Sequence, residues 1–306
     1  MTEKQRSLLA LRGMSGEDIR LILDRARYLL PVATGETPGF IAKRPSVIAN
    51  MFLEDSTRTR CSFEVAAYRL GHSCVNLTSS GSSVSKGENL ADTARTIAAM
   101  GVEAIVIRCS ESGGASLVEK ITGRPVINAG DGRHEHPTQG LLDLLALREH
   151  FGDLEGRRVL IVGDITNSRV ARSNIYGLSA MGANVHLVGP PTLVSPSMAK
   201  LFPGTVTVGH NLDSALPGAD AVMMLRVQRE RGASKSIGSD YRHGYGMTVA
   251  RANLLASGVP ILHPGPSNRG FEIDDEVHDD PSRSLVSLQV TCGVAVRMAI
   301  LERAIR

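Results

Sequence analysis

The feature that most constrains this fold is the alternation of short apolar runs with stretches of helical character. A short run that is apolar throughout, with no polar residue at every second position, is typical of a parallel strand buried on both faces. Such strands need helices to cover them and to connect them. The sequence therefore predicts an α/β fold whose sheets are mainly parallel, with helices on both faces. The runs lie at residues 46–52, 104–107, 126–128, 159–162, 185–188, 221–225 and 260–262.

The chain has 306 residues, and this length favours two domains. The sequence GDLEGRR at 152–158 resembles a linker that precedes a new strand. We therefore predict a first domain over 1–150 and a second over 151–286. Residues 287–306 read as one long helix that closes the core, with Leu288, Thr291, Ala295, Met298 and Ala299 on one apolar side. We expect this helix to pack back on the first domain.

Composition excludes several classes of protein. The net charge is only +3 and there is no tryptophan, so neither a strong basic field nor a stacking platform for nucleic acid is indicated. The four cysteines form no CxxC pair, which favours reduced thiols over a disulfide scaffold or a zinc site. No apolar run approaches the roughly 20 residues of a membrane span, and the start is polar. We therefore expect a cytoplasmic protein without nucleic-acid or membrane partners.

Polar residues concentrate directly after the apolar runs, where open α/β sheets bind their ligands. The first run is followed by STRTR at 56–60, with Ser56 as the natural N-cap of a helix. In that helix Phe63, Ala66, Ala67 and Leu70 have the spacing of one buried face. A helix N-terminus with hydroxyls and a guanidinium fits a phosphate. A plain capped helix with solvated arginines explains STRTR equally well, so this motif alone leaves both interpretations open. No Walker A motif is present.

Further candidates follow along the first half. Lys86 lies in a Gly/Ser-rich stretch that could simply be a solvated loop, whereas Arg108 follows the run AIVI directly. In GDGRHEHPTQG, His136 and Gln139 would suit a donor pair for a carbonyl oxygen, although His136 could equally be a core histidine. His134 and His136 lack a third ligand at metal spacing, so we predict no metal site.

In the second half, Arg169 and Arg226 follow apolar runs and suit carboxylates, which guanidinium groups bind through two hydrogen bonds. The motif HPGP then places Pro264 and Pro266 in a stiff turn after the last run. The basic residues that follow Gln228 read as surface residues.

Together these motifs resemble the aspartate/ornithine carbamoyltransferase family. STRTR, SKGE with LADT, HPTQ, RVQRER and HPGP occur in the family's order, and the resemblance covers nearly the whole chain. It implies a first domain that binds carbamoyl phosphate and a second that binds the amino acid. The implied reaction is attack of the L-aspartate amine on carbamoyl phosphate, giving N-carbamoyl-L-aspartate and phosphate in pyrimidine synthesis. No metal or organic cofactor is expected.

The resemblance also implies roles for individual residues. The residues expected to bind carbamoyl phosphate are Ser56, Thr57, Arg58, Thr59, Ser82, Lys86, Arg108, His136, Gln139, Gly265 and Pro266. Those expected to bind L-aspartate are Lys86, Arg169, Arg226 and Gln228. The expected catalytic residues are Arg58, Thr59, Lys86, Arg108 and His136. Ser82 and Lys86 would come from the neighbouring subunit of a homotrimer, so that subunits share active sites. A regulatory chain or a dihydroorotase partner is left open.

Charge favours aspartate over ornithine. Aspartate brings two carboxylates to Arg169 and Arg226, whereas ornithine has a distal ammonium group. The HPCQ motif and the Cys-containing HCLP turn of ornithine enzymes are also absent. Two alternatives stay open: a carbamoyltransferase for another amino acid or amine, and a non-catalytic anion-binding homologue. We assign no role to the segment 133–135 or to Lys235 and Arg242.

Overall fold

The computed structural model describes residues 6–78, 88–202, 204–227 and 240–306. The chain divides into two compact units, which we call unit 1 (Met1–Leu145 with Thr291–Arg306) and unit 2 (Ala146–Val290). Each unit is built on one parallel sheet with helices packed on it. The predicted α/β class with two parallel sheets is therefore confirmed.

Unit 1 contains a four-stranded sheet of order β2-β1-β3-β4 in which all described pairs are parallel. Its strands are β1 (Val47–Phe52), β2 (Ser73–Thr78), β3 (Ala104–Cys109) and β4 (Val126–Asp131). The helices of this part of the chain are α1 (Gly16–Thr34), α2 (Thr57–Arg69), α3 (Leu90–Ala99), α4 (Gly114–Thr122) and α5 (Pro137–Phe151).

Unit 2 contains a five-stranded parallel sheet of order β7-β6-β5-β8-β9. Its strands are β5 (Arg158–Val162), β6 (Asn184–Val188), β7 (Val206–Gly209), β8 (Ala221–Met224) and β9 (Ile261–Leu262). The remaining helices are α6 (Arg169–Ala180), the short 3₁₀ helix Pro196–Lys200, α7 (Leu212–Ala215), α8 (Asp240–Tyr245), α9 (Val249–Ala252), α10 (Asp275–His278) and α11 (Val286–Ile305).

The strands that sequence patterns missed, β2 and β7, each stand first in the order of their sheet. Each of the seven predicted runs overlaps a strand, and the observed strand differs from the run by one to three residues at one end. The residues of β2 are exposed or half-buried along its whole length, and most of β7 is not buried either. β2 and β7 therefore lack the continuous apolar run of a strand buried on both faces, whereas β4 and β9, which stand last in their sheets, are buried and were predicted.

Hydrophobic periodicity predicted the buried face of one helix, α2, and only part of the buried surface of another, α11. The predicted buried face of α2, formed by Phe63, Ala66, Ala67 and Leu70, is confirmed. For α11 the expected single apolar side was too narrow, because every residue of 295–301 is buried, including Arg297. Within the described ranges, no helix has the length and apolar character needed to cross a membrane.

The turn that ends α2 gives a test of the packing in unit 1. Gly71 has φ +76°, and a Cβ built on it would lie 2.6 Å from the backbone nitrogen of Ala42 and 2.8 Å from the carbonyl oxygen of Phe40. Gly101 has a similar φ of +85°, but a Cβ added there would meet no atom within 4 Å beyond its chain neighbours. We expect Gly71→Ala to lower the free energy of unfolding by about 2–4 kcal/mol, combining backbone strain with overpacking.

The matched control, Gly101→Ala, carries the backbone strain alone and is expected to cost only about 1 kcal/mol. Urea unfolding of both variants measures the difference. Equal losses would show that the segment around residues 40–42 yields to the added methyl group.

Candidate active site

The carboxyl ends of three neighbouring strands in unit 1 bring the predicted carbamoyl phosphate residues to one edge of the sheet. In the register, Phe52 of β1 lies opposite Arg108 of β3, and Cys109 of β3 lies opposite Asp131 of β4. The chain segments that lead to the start of α2 and the start of α5 therefore leave from this same edge. This edge is where open α/β sheets place their ligands.

The start of α2 does not behave as a plainly capped helix. Ser56 occupies the N-cap position, but its side chain makes no capping hydrogen bond. By contrast, the side chain of Ser168 accepts a hydrogen bond from the backbone of Ala171 at the start of α6. The hydroxyl of Ser56 is thus not used for capping, and the first N–H groups of a helix have no partner within the helix. This geometry favours the anion-binding interpretation of STRTR.

The three following residues differ in burial. Thr57 and Arg58 are exposed and Thr59 is buried. Enough protein surrounds the guanidinium of Arg58 for desolvation to lower its pKa. Arg60, two residues later, instead lies 3.6 Å from Glu64 in an ion pair along the helix surface. Arg60 is thus engaged by Glu64 on the surface of α2, and Arg58 is the better candidate for an anion at the start of the helix.

Arg108 stands at the end of β3 with a carboxylate nearby. Its Nε lies 3.8 Å from the Glu54 carboxylate, and both side chains are 17% exposed. The backbone carbonyl of Arg108 accepts a hydrogen bond from Leu53, which ties the two strand ends together. Arg108 is thus held where β1 leads into α2.

His136 and Gln139 are both buried at the start of α5. The backbone N–H of Gln139 donates to the carbonyl of His136, and a ring nitrogen of His136 lies 3.4 Å from the Thr138 hydroxyl. The Gln139 side-chain nitrogen donates to the Asp143 carboxylate at 2.8 Å. A carboxylate accepts only, so the amide nitrogen faces Asp143 and its oxygen faces away. The Gln139 side-chain oxygen is thus an acceptor on the side away from Asp143, and the pairing of Gln139 with His136 as donors to a carbonyl oxygen stays a prediction.

Two polar residues of the loop before α5, Glu135 and His134, have hydrogen-bond partners within unit 1. Glu135 accepts hydrogen bonds from the backbone N–H groups of Leu11 at 2.8 Å and Arg12 at 3.1 Å. The His134 ring nitrogen lies 3.1 Å from both carboxylate oxygens of Asp131. His134 and His136 thus have different neighbours, and among the described residues no cluster of three or more metal-binding side chains occurs.

In unit 2 the carboxyl ends of β5, β8 and β9 also lie side by side. Val162 pairs with Met224, and Met223 pairs with Leu262. Arg169 is the first residue of α6, after β5, and only 8% of it is exposed. Arg226 lies two residues beyond β8, and the Gly265-Pro266 bond lies just after β9.

The structure thus brings Arg169, Arg226 and the Gly265-Pro266 turn to one edge of the second sheet. Three predicted residues, Ser82, Lys86 and Gln228, lie outside the described residues, as does Lys235. Arg242 does lie within them and pairs with Asp274 at 2.6 Å.

A buried hydrogen-bond network holds the turn after β9. The Nδ1 atom of His263 accepts from the backbone N–H of Gly265 at 2.9 Å, so the ring proton belongs on Nε2, which donates to Glu272 at 3.2 Å. Glu272 also accepts from the backbone and side-chain nitrogens of Asn268. Both side chains of the His263–Glu272 pair are fully buried.

Sequence patterns did not reveal Glu272 or Asp143. Glu272 meets His263 across nine residues of irregular chain, which carry no periodic signal. Asp143 could have been found, because it lies four residues after Gln139, the spacing at which side chains on a helix meet.

This molecule is a two-unit α/β protein. Each unit has one parallel sheet with arginine side chains at its strand ends. The family model for the aspartate/ornithine carbamoyltransferase carbamoyl-P binding domain matches residues 6–149. The model for the Asp/Orn binding domain of the same family matches residues 155–304. The chain belongs to the aspartate/ornithine carbamoyltransferase family, as its motifs predicted.

Two relatives illustrate the similarity in sequence. The aspartate carbamoyltransferase catalytic subunit of Myxococcus xanthus is 50% identical over 299 residues, covering 97% of this chain and 98% of the relative. The protein of the same name from Acidothermus cellulolyticus is 50% identical over 298 residues, covering 97% and 91%.

Solved structures share the fold over nearly the whole chain. Aspartate transcarbamoylase from Trypanosoma cruzi, in complex with carbamoyl phosphate and aspartate, has a TM-score of 0.88 at 28% identity and covers 99% of this chain and 97% of its own. Ornithine carbamoyltransferase from Pyrococcus furiosus has the same TM-score at 26% identity, covering 98% and 97%. The fold alone therefore does not distinguish the two amino-acid substrates.

The network around Glu272 predicts a large effect of one substitution on stability. We expect Glu272→Ala to lower the free energy of unfolding by about 3 kcal/mol, because it removes the buried carboxylate that accepts from the His263 ring and from the backbone N–H of Asn268. The control is Glu276→Ala in α10, an exposed position where we expect a change below about 0.5 kcal/mol. Urea unfolding measures both, and a loss at Glu272 no larger than at Glu276 would contradict the role of the network.

Proposed function

We propose that this protein is an aspartate carbamoyltransferase, which converts carbamoyl phosphate and L-aspartate to N-carbamoyl-L-aspartate and phosphate in pyrimidine synthesis. The observation that carries the proposal is the 50% identity, over nearly full length, to proteins named as the catalytic subunit of that enzyme. The chemistry of unit 2 agrees, because Arg169 and Arg226 supply two guanidinium groups for a substrate with two carboxylates.

In this proposal unit 1 binds carbamoyl phosphate. The first turn of α2 holds the phosphate through Ser56, Thr57, Arg58 and Thr59, where helix N–H groups, hydroxyls and a guanidinium all favour an anion. Arg108 and His136 contact the carbamoyl oxygen. The outward oxygen of Gln139 accepts a hydrogen bond from the carbamoyl NH₂ group, an assignment supported by the contact of its nitrogen with Asp143.

Unit 2 binds aspartate through Arg169, Arg226 and Gln228. The Gly265-Pro266 turn offers backbone carbonyl oxygens to the amine and to the carbamoyl nitrogen. The buried contacts of His263 with Gly265 and Glu272 support this role, because they hold the turn in one conformation.

The reaction forms a bond between the aspartate nitrogen and the carbamoyl carbon and breaks the bond from that carbon to the phosphate oxygen. The tetrahedral intermediate carries negative charge on the former carbonyl oxygen, which Thr59, Arg108 and His136 stabilise as prepositioned donors. The leaving phosphate takes the amine proton, so no separate general base is required. Holding both substrates in fixed orientation supplies much of the remaining acceleration.

Beyond the single chain, we propose a cytoplasmic homotrimer in which Ser82 and Lys86 enter the site of the neighbouring subunit, with Lys86 contacting both substrates. This part rests on the resemblance of the SKGE loop to the family pattern. A regulatory chain or a dihydroorotase partner is compatible with it.

A substrate panel tests the proposed reaction. We expect carbamoyl phosphate-dependent phosphate release with L-aspartate, and a kcat/KM for L-ornithine at least about a thousandfold lower, because the distal ammonium of ornithine would face guanidinium groups. Phosphate release with ornithine but not aspartate would refute the assignment. Tight binding of carbamoyl phosphate without turnover of any amine would favour the non-catalytic homologue.

Subunit mixing tests the shared site. Arg58→Ala and Lys86→Ala are each expected to lower kcat by at least about a hundredfold, because each removes a cation from the developing charge. In random hybrid trimers of equal amounts, about one quarter of the sites would contain both intact residues, so mixing should restore about a quarter of wild-type activity.

The control replaces the Arg58→Ala protein by the Arg58→Ala, Lys86→Ala double variant, which can form no intact site with Lys86→Ala. Native mass spectrometry establishes that subunits exchange. If exchange occurs and the single variants stay inactive together, each site belongs to one subunit.

A further inference from the structure

Arg297 is a charged residue in an unusual place, the buried part of α11 in unit 1. Only 4% of it is exposed, and its guanidinium carbon lies 5.2 Å from the centre of the Phe63 ring. Phe63 belongs to α2, the helix whose first turn carries Arg58. A Cβ at Gly293, one turn earlier on α11, would lie 2.6 Å from a terminal nitrogen of Arg297. The Arg297 side chain therefore occupies the space beside Gly293, which a larger residue at that position would fill.

One carboxylate and two cations act on the Arg297 guanidinium. Asp143 attracts its guanidinium, but Arg58 and Arg108 repel it. Asp143 also accepts a hydrogen bond from Gln139, so its charge is shared. Among the described residues the Arg297 Nε has no hydrogen-bond partner.

We expect the burial of this cation to have a cost in the unliganded protein. Burying a cation is costly unless a charge of opposite sign compensates it. Burial lowers the pKa of Arg297 to about 9, which still leaves the guanidinium protonated at neutral pH. A neutral side chain of similar length would avoid this cost and still pack on Phe63. The position therefore carries a charge that packing does not require, next to residues proposed to bind an anion.

We propose that Arg297 is a positioning and electrostatic residue of the carbamoyl phosphate site. Its positive charge adds to the attraction that Arg58 and Arg108 exert on the phosphate, and its electrostatic attraction for Asp143 helps to hold the carboxylate that orients Gln139. It acts through these residues and does not touch the substrate. The inference rests on the proposed function, because it takes the ligand of unit 1 to be a phosphate.

The competing explanation is purely structural, with Arg297 joining α11 to α2 through Phe63 and to α5 through Asp143. The two explanations differ in what neutralisation of the charge would change. In the structural case Arg297→Met weakens folding and leaves anion affinity unchanged. In the proposed case it weakens anion binding, and Arg297→Lys, which keeps the charge, restores most of that binding.

The experiment measures inorganic phosphate binding by isothermal titration calorimetry for the wild-type protein, Arg297→Met and Arg297→Lys. We expect the Kd for phosphate to rise about tenfold in Arg297→Met and about threefold or less in Arg297→Lys. The KM for carbamoyl phosphate should rise in parallel, while the KM for aspartate at saturating carbamoyl phosphate should change less than about twofold.

Arg303→Met is the matched control. Arg303 lies on the same helix and is partly buried, but the charge that acts on it is that of Asp18. We expect its phosphate Kd to stay at the wild-type value, which separates a local effect from a change in net charge.

The decisive comparison is the phosphate affinity of the Lys and Met variants. Higher affinity in the Lys variant supports the proposal whatever the stabilities are, and equal affinities overturn it. Failure of the proposed function is distinguishable: a wild-type protein that binds phosphate but turns over no substrate refutes the reaction and leaves the comparison valid. A wild-type protein that binds neither phosphate nor carbamoyl phosphate refutes both.

Discussion

Parallel pairing of strands buried on both faces is the constraint on which the rest of this structure depends. Such strands have no room for polar side chains along their length, so hydrogen-bonding and charged groups appear where the strands end. Because parallel strands end at the same edge, neighbours such as β1 and β3 deliver their polar groups to one place. The same logic in the second sheet brings Arg169, Arg226 and the Gly265-Pro266 turn to the ends of β5, β8 and β9.

Buried polar residues hold two of the groups at these edges, the Gln139 amide and the Gly265-Pro266 turn. Asp143 orients Gln139, and the His263–Glu272 pair secures the turn after β9. A buried carboxylate or histidine is costly when unpaired and stiff when its hydrogen bonds are complete. These buried hydrogen bonds therefore fix the positions of the groups that they contact. Stabilisation of charge in a transition state requires groups that are fixed in this way.

How much could be predicted from the sequence differs between elements for physical reasons. The buried strands were predictable because burial on both faces produces continuous apolar runs, whereas β2 and β7 were not, since most of their residues are exposed or half-buried. The buried residues of α2 recur with the helical period and mark one face. In α11 every residue of 295–301 is buried, so hydrophobic periodicity cannot identify a single buried face there. Among the site residues, strand-end arginines were predictable from their position alone.

The sequence by itself determined the class of fold, the motifs of the aspartate/ornithine carbamoyltransferase family, and most candidates for binding, because apolar runs and short motifs are local patterns. Only the tertiary structure decided which way the Gln139 amide faces, that Ser56 leaves its helix uncapped, and that Arg297 is buried beside Phe63. Those properties depend on contacts between residues far apart in the chain. No pattern within a short window of sequence records such contacts, so the packed structure was needed to show them.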